Sequence, residues 1–442
     1  MQRSASPRLC PLWMSCIAAL TFAVAPVAGQ APRNDEAEIV IGNNEELKND
    51  EKSHLQMWHD GKPMGSGDKR ILEKAAKWYI YRLTLPQFQE RIPPEGAPLS
   101  QGRSVYDLLK ELFDKLVFPD PSRNIRPNDN QRRYMQEFTA ALIEPIERVL
   151  QNAKPIARIN AAIVLARLGE TGDEAVVKPL LKILNDKTQY DAVKLYALIG
   201  LKNVFRAKNS GDLDQQPFKD RDDVADYARD LLEFMVRKPN LPANATQEEM
   251  DAFKYVRREA IRAVAQTRLP QITKKNKPIL LADRRPAQPA LELLRIMRND
   301  GVNPTPTFTG QIEAAIGICL MKPREDPTYH VPFALQHLGL FLVDFADKYE
   351  KDRSKTTKSA PWQKESIRLQ QALSSLEALE ASPEDKATIK NFVAVAKPML
   401  KRIEEKSESN IQNLRTWLGS NKPGDSLYKG DKNATIKTET TS

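Results

Sequence analysis

Residues 157–169 read ARINAAIVLARLG, and this stretch decides the class of fold. Arg158, Ala161 and Leu165 are spaced so that a helix carries all three side chains on one stripe. A small alanine in the middle of such a stripe lets a neighbouring helix approach closely. The same spacing of a basic or polar residue, an alanine and an apolar residue recurs at Lys194/Ala197/Leu201, Arg257/Ala260/Val264 and Gln311/Ala314/Ile318.

A second pattern precedes each of these stripes. It consists of a proline followed by apolar residues one, four and five positions later, which also fall on one side of a helix. Two patterns that alternate in the same order along the chain indicate repeated helix pairs rather than chance matches in single helices. The members are Pro145/Ile146/Val149/Leu150, Pro179/Leu180/Ile183/Leu184 and Pro289/Ala290/Leu293/Leu294, with Tyr227/Ala228/Leu231/Leu232 fitting without the proline.

Over residues 135–321 the chain resembles HEAT repeats. Besides 157–169, the resemblance is carried by VKPLLKILND at 177–186, VKLYA at 193–197 and VRREAIRAV at 256–264. It implies an all-α fold in which antiparallel helix pairs stack into an α-solenoid. The second-helix stripe returns after 36, 63 and 54 residues rather than at one constant period, so we expect an irregular solenoid with long loops.

The composition also favours helices. The 442 residues are 41% hydrophobic and 28% charged, and the 18 glycines and 7% aromatic residues are few for a β-sandwich or a barrel. The formal net charge of +9 is modest for this length. It allows contact with acidic surfaces but does not by itself indicate nucleic acid as the partner.

The N-terminus has the layout of a secretory signal peptide, residues 1–29. Arg3 and Arg8 form a basic start, residues 9–27 carry no charge, and small residues suit cleavage after Gly29. An uncleaved anchor is the alternative. We therefore expect a periplasmic or secreted mature chain, in which no further stretch is long and apolar enough to span a membrane.

The rest of the chain divides into five parts by composition and patterning. Residues 30–67 are polar and are expected to form a flexible lead-in. Residues 68–130 hold two helical patterns and are expected to cap the array. The HEAT-like array is predicted over 131–350, C-terminal helices over 361–418, and a disordered tail over 419–442.

No motif for catalysis, metal binding or cofactor binding is found in the sequence. The histidines fall in the pairs His54/His59 and His330/His337, five and seven residues apart, whereas two metal ligands on one helix need a spacing of three or four. A soft-metal site at His54/His59, with Met57 and Met64 nearby, is the alternative to plain surface histidines. Cys319, the one cysteine of the predicted mature chain, lies in an apolar run and is predicted to be an inert core thiol. We therefore predict a non-catalytic protein without a cofactor, with an enzyme on a helical scaffold as an alternative.

Two features predict where partners bind. The concave surface of a solenoid is usually lined by the second helices, which places Arg158, Lys194, Arg257 and Gln311 near it, unless these side chains serve the stacking interface instead. A basic group between two helices predicts a contact for an acidic partner. It consists of Lys274, Lys275, Lys277, Arg284 and Arg285.

These observations favour an exported scaffold for protein–protein interaction. The alternative is a binder of acidic polymers, such as envelope polysaccharide or nucleic acid, through basic loops. Aromatic residues are not interleaved with the basic groups, so stacking on single-stranded nucleic acid finds no support. A second basic group that belongs to this alternative consists of Lys348, Lys351, Arg353, Lys355 and Lys358.

Overall fold

Helices dominate the computed structural model, which describes residues 39, 46–65, 67–88, 104–118, 127–209, 218–238, 244–358, 360–422 and 424–436. All of these residues belong to the unit Glu36–Ser442. The predicted signal peptide, residues 1–29, lies outside the described residues.

The described part of the chain contains fifteen α-helices and one two-stranded hairpin, so the all-α prediction is confirmed. None of these helices is long and apolar enough to cross a bilayer. The first helices are α1 (Asn49–His59), α2 (Lys69–Tyr81) and α3 (Val105–Leu112), and α3 continues into a π-helical turn at Phe113–Val117. Then come α4 (Asp129–Val149), α5 (Pro155–Leu168), α6 (Val177–Asn185), α7 (Asp191–Asn209), α8 (Arg221–Val236) and α9 (Gln247–Thr267). The hairpin β1 (Thr273–Lys274) and β2 (Lys277–Pro278) precedes α10 (Pro289–Arg298), α11 (Phe308–Ile318), α12 (Val331–Arg353), α13 (Trp362–Glu377), α14 (Pro383–Glu404) and α15 (Gln412–Ser420).

Local sequence explains where several helices begin. Ser104, Asn128 and Thr246 each accept a hydrogen bond from the backbone N–H three residues later, and that later residue's side chain accepts one from the cap's own N–H. Pro155 and Pro289 occupy the first turns of α5 and α10. Backbone N–H groups in a first turn have no acceptor within the helix, so proline, which lacks the N–H, loses no hydrogen bond there.

The last helices differ in length from the pattern in the sequence, which predicts one helix from Pro383 to about residue 418. Pro398 lies inside α14 without ending it, and the helix stops at Glu404. Lys406 adopts a left-handed backbone conformation there, and the N–H of Ser407 donates to the carbonyl of Arg402. This arrangement satisfies the final carbonyl groups and ends the helix before α15.

The middle helices contact one another in consecutive order. Within pairs, α4 contacts α5, α6 contacts α7, α8 contacts α9, and α10 contacts α11. The second members also contact in sequence, from α5 to α7, α9 and α11, and α11 contacts α13 in turn. We call these five helices the second-helix row. The alanines of the repeated stripe, Ala161, Ala197, Ala260 and Ala314, are fully buried along it.

Two glycines mark a close contact between α5 and α7. A methyl group added to Gly200 in α7 would lie 2.8 Å from Cδ2 of Leu180 and 3.1 Å from the Cα of Ala166 in α5. One added to Gly169, directly after α5, would lie 2.6 Å from the carbonyl oxygen of Gly200. The backbones therefore approach at a distance that only glycine allows.

Gly200→Ala is therefore expected to destabilise the protein by about 1–3 kcal/mol, because the overpacking outweighs the better helix propensity of alanine. The matched control is Gly419→Ala in α15, where an added Cβ meets nothing within 4 Å. That control is expected to be neutral or to stabilise by up to about 1 kcal/mol. Urea unfolding of both variants measures the difference, and a Gly200→Ala protein as stable as wild type would contradict the close contact.

The predicted flexible lead-in at 30–67 is wrong for residues 49–59, which form α1. Leu55 and Trp58 are buried, and α1 packs against α2 and α4. The Glu51 carboxylate accepts from the N–H of Lys48 and from Lys74 Nζ at 2.8 Å, which ties the helix start to α2. Leu55 and Trp58 are three residues apart on one helical face, but the segment around them is so polar that its composition predicts no helix.

The predicted disordered tail at 419–442 is wrong for residues 424–436, whereas 437–442 lie outside the described residues. Leu427, Tyr428, Ala434 and Ile436 are buried. The N–H of His330 donates to the carbonyl of Leu427 at 2.8 Å, so the backbone of the tail is held as well. A few apolar side chains and main-chain hydrogen bonds to a preformed surface are enough to order a polar segment.

Candidate binding cleft

The segment that carries the predicted basic group forms a short hairpin rather than an open loop. Thr273 pairs with Pro278 and Lys274 with Lys277. Lys275 and Asn276 at the turn have φ values of 50° and 61°. Positive φ at both central residues is typical of the tight turn that matches the twist of two antiparallel strands.

The structure does not bring the five basic residues of this segment into one cationic patch. Lys274 Nζ lies 2.8 Å from an oxygen of Asp226 on α8. Arg285 pairs with Asp283 and with Glu292 on α10, each at 2.7 Å. The other three form no ion pair with any described residue and are exposed; they are Lys275, Lys277 and Arg284. We call these three the hairpin cations.

The basic residues of the repeated stripe lie inward. Arg158 is buried, its Nε donates to the carbonyl of Asn152, and its guanidinium lies 5.2 Å from the ring centre of Tyr190. Arg257 is buried as well. Lys194 and Gln311, at the corresponding positions of α7 and α11, are half-buried. Arg158 and Arg257 therefore contact other parts of the same chain and are not displayed on an open surface.

A cleft of about 460 Å³ opens above Arg257. It is walled by α9 and α10, by the C-terminal end of α8, by the loop at 300–303 and by residues 424–436, which we call the docked tail. Its lining combines four basic and two acidic residues with amide, hydroxyl and apolar groups: Lys238, Arg257, Arg285, Arg295, Glu292, Asp300, Asn303, Asn433, Thr435, Val236, Ile296, Val302 and Gly301.

The charges in this cleft are not evenly paired. One oxygen of Glu292 accepts from both Arg285 and Arg295, at 2.7 and 2.8 Å. Although partial burial lowers it, the pKa of Arg285 is raised on balance by the carboxylates of Asp283 and Glu292. Burial lowers the pKa of Arg257. The carboxylate of Glu292, which forms no ion pair with Arg257, opposes this effect. Arg257 stays cationic because a guanidinium does not lose its proton in proteins.

Sequence reasoning missed this cleft. Only Arg257 and Arg285 belong to groups that the sequence singles out, and it places them in different ones, a helix stripe and a loop. Lys238 and Arg295 are not members of any pattern that the sequence singles out, and Asn433 falls in a segment predicted to be disordered. The residues come from segments about 200 positions apart, so no local spacing could have indicated the site.

A second charged cluster crosses the second-helix row. Glu313 of α11 lies between Arg262 of α9 and Arg368 of α13, the latter at 2.6 Å. Arg262 also pairs with Glu259 on its own helix, as Arg368 does with Glu365 at 2.7 Å. Lys202 of α7 extends the cluster, lying 3.7 Å from Glu259. We call it the charge ladder: Lys202, Glu259, Arg262, Glu313, Arg368 and Glu365. Each glutamate faces cations, so the ladder has the character of a structural network and not of an acid–base pair.

Two of the histidines and the cysteine Cys319 lie in the packed interior. His59 and His337 are buried, and the His59 ring lies 2.8 Å from the carbonyl of Phe118. Burial lowers the pKa of His337 to about 4 and raises the pKa of Cys319 to about 12. The described residues contain no group of three side chains that could hold a metal ion. Cys319 is buried among apolar residues, as its sequence context predicts.

The second predicted basic group is divided as well. Lys348, Lys351 and Arg353 belong to α12, so they do not lie in a loop. Lys358 Nζ donates to the carbonyl of Asp352 at 3.1 Å and to that of Lys355 at 2.6 Å, and so caps the end of this helix.

Comparison with protein-family models, with curated proteins and with solved structures gives no match to this chain.

Proposed function

We propose that this chain is an exported, non-catalytic scaffold for protein–protein interaction, built on an irregular HEAT-like solenoid of helix pairs. The observation that carries the proposal is the second-helix row, in which α5, α7, α9, α11 and α13 contact one another in consecutive order. Repeat arrays of this kind expose an extended surface that suits a macromolecular partner. Export rests on the signal-peptide layout of residues 1–29.

Partly exposed apolar side chains along the row favour a protein as the partner. Ile159 of α5 and Tyr196 and Ile199 of α7 are packed against the core on one side and reach solvent on the other. Exposed apolar and aromatic surface contributes to binding when a partner removes it from water. A purely polyanionic ligand would make no use of it.

The hairpin cations support a second candidate function, which is the binding of an acidic polymer. They are exposed and form no ion pair with any described residue, so their charge is available to a partner. Contacts of this kind are made mainly to the charged backbone of a polymer and weaken steeply with salt.

Affinity retention by the immobilised mature chain at about 0.05 and about 0.5 M salt separates the two functions, because only contacts between exposed charges are screened over this range. A protein retained in fixed stoichiometry at both salts, also by the triple variant Lys275→Ala/Lys277→Ala/Arg284→Ala, is expected for a scaffold. Polyanion binding instead predicts retention at low salt only and a loss of about tenfold or more in the triple variant. The matched control removes the same charge elsewhere, at the exposed residues Lys386, Lys390 and Lys422. Failure to retain any macromolecule at either salt would contradict both functions.

A further inference from the structure

The guanidinium of Arg257 is buried and has no counter-ion among the described residues. The residue is 9% exposed, no carboxylate of the described residues forms an ion pair with it, and the guanidinium lies 5.8 Å from the ring centre of Phe253. A buried charge is normally paired, because its transfer out of water is otherwise costly. Arg158, at the same position of an earlier stripe, has the oxygen of the Gln189 side chain within 3.5 Å; no side-chain oxygen is bonded to Arg257.

The hydrogen-bond donors of Arg257 are also incompletely used. Nη1 donates to the carbonyl oxygens of Asn303 and Pro304, both at 3.3 Å. Nε is buried without a partner, and no acceptor among the described residues lies against Nη2. Nε atoms without a hydrogen-bond partner also occur at Arg258 and Arg268, so the burial of a guanidinium without a counter-ion, together with the free Nη2, is what distinguishes Arg257. An anion in the cleft would accept from Nη2 and supply the missing charge.

The residues around Arg257 suit an anion that also carries a hydrocarbon portion. Glu292 is shared by Arg285 and Arg295, and Lys238 adds a further exposed cation at the rim. Four basic against two acidic residues leave the lining with a net positive charge. The volume of about 460 Å³ falls within the ~300–1,000 Å³ typical of small-molecule sites. The apolar side chains of the lining are those of Val236, Ile296 and Val302.

We propose that this cleft binds a compact organic dianion whose carboxylate or phosphate oxygens pair with Arg257. The amide and hydroxyl groups of Asn303, Asn433 and Thr435 line the same cleft and can donate to a second oxyanion. Arginine suits this role because its planar donors match the oxygens of carboxylates and phosphates. Anion binding here is independent of what the second-helix row binds.

Titration of the full chain with succinate, orthophosphate, acetate and chloride at constant ionic strength tests the site, followed by calorimetry and by the thermal midpoint. Saturable binding of succinate or phosphate, and a rise of the midpoint that chloride does not produce, are expected. Whichever dianion binds more tightly identifies the head group. Chloride acting as strongly as both dianions would overturn the site, as would the absence of saturable binding.

Four variants locate the binding. Arg257→Lys keeps the charge but loses the planar donors, and it is expected to weaken dianion binding by about tenfold or more. Lys238→Gln alters an exposed residue, so the fold is unaffected; we expect about a tenfold loss of affinity. Thr435→Glu places a tethered carboxylate in the cleft and should abolish the response to added dianion. Lys386→Gln removes an exposed charge on α14 that does not line the cleft, and equal weakening by this control and by Lys238→Gln would refute the proposal even if Arg257→Lys failed to fold.

Discussion

Replacing Glu313 by glutamine is expected to lower the free energy of unfolding by about 2–4 kcal/mol, somewhat less than the ~3–5 kcal/mol for breaking a fully buried ion pair. Glu313 is 3% exposed and lies between Arg262 and Arg368 in the charge ladder. Glutamine fills almost the same volume, so the loss is one of charge and not of packing. The effect stays below the fully buried value because the two arginine side chains keep 29% and 28% of their exposure and can reach water.

The same carboxylate gives the stability of the protein a dependence on pH. Burial alone would raise the pKa of Glu313, but the guanidinium groups of Arg262 and Arg368 lower it on balance. A carboxyl whose pKa is lower in the folded state stabilises the fold above its unfolded pKa of about 4.3. That contribution is lost as the pH falls through the folded-state pKa. Glu313→Gln should therefore be less stable than wild type at neutral pH and approach it below about pH 4.

Urea unfolding at several pH values measures both effects. The matched control is Glu380→Gln, which removes a carboxylate that pairs with Arg324 at 2.6 Å where both side chains are exposed. Exposed pairs contribute about 0–1 kcal/mol, so the control should change little. If Glu313→Gln were no more destabilising than the control, the ladder would not hold the second-helix row together.

Replacing Tyr428 by alanine is expected to destabilise the protein by about 3–5 kcal/mol, the usual cost of removing a buried aromatic side chain. Tyr428 belongs to the docked tail, is 2% exposed, and its ring centre lies 6.1 Å from that of Tyr329. Its hydroxyl donates to the carbonyl of Pro270, and burial raises its pKa well above the ordinary value. Tyr428→Phe keeps the ring and loses the hydrogen bond, so a smaller loss of about 1 kcal/mol is expected.

Thermal unfolding of both Tyr428 variants, together with limited proteolysis of the tail, tests this packing. The alanine variant should be cleaved within 424–436 faster than the wild type, because local opening of the tail becomes easier. Leu280→Ala, at an apolar side chain that is 53% exposed, is the control and should change stability by less than about 0.5 kcal/mol. Equal stability of Tyr428→Ala and wild type would show that the tail contributes nothing to the fold.

The helices between residues 129 and 318 could be predicted because their signal is local. The stripe of Arg158, Ala161 and Leu165 lies within one helix, and periodicity within a helix can be read from the residues themselves. The all-α class followed from four such stripes. Helix α1 and the docked tail were missed because Leu55, Trp58 and the few apolar residues of the tail lie in polar surroundings, where composition alone predicts flexibility.

The charges were harder to predict because ion pairing is not local. The basic segment near the hairpin suggested one patch, but Asp226 of α8 and Glu292 of α10 neutralise Lys274 and Arg285 from other helices. Conversely, Arg257 was singled out as part of a stripe, and nothing in its neighbourhood in the sequence shows that it lacks a counter-ion. The missing counter-ion of Arg257 is evident only in the three-dimensional structure, in which the walls of the cleft come together.

The docked tail also determines which part of the molecule folds last. Most helix contacts join helices that are neighbours or next neighbours along the chain, whereas the hydrogen bond between Tyr428 and Pro270 joins residues 158 positions apart. Closing so long a loop adds little to the entropic cost, which grows only with the logarithm of loop length, but it delays the contact. The helix pairs can therefore assemble while the chain is still being made. The cleft, whose wall includes Asn433 and Thr435, is finished only when the C-terminal end of the chain arrives.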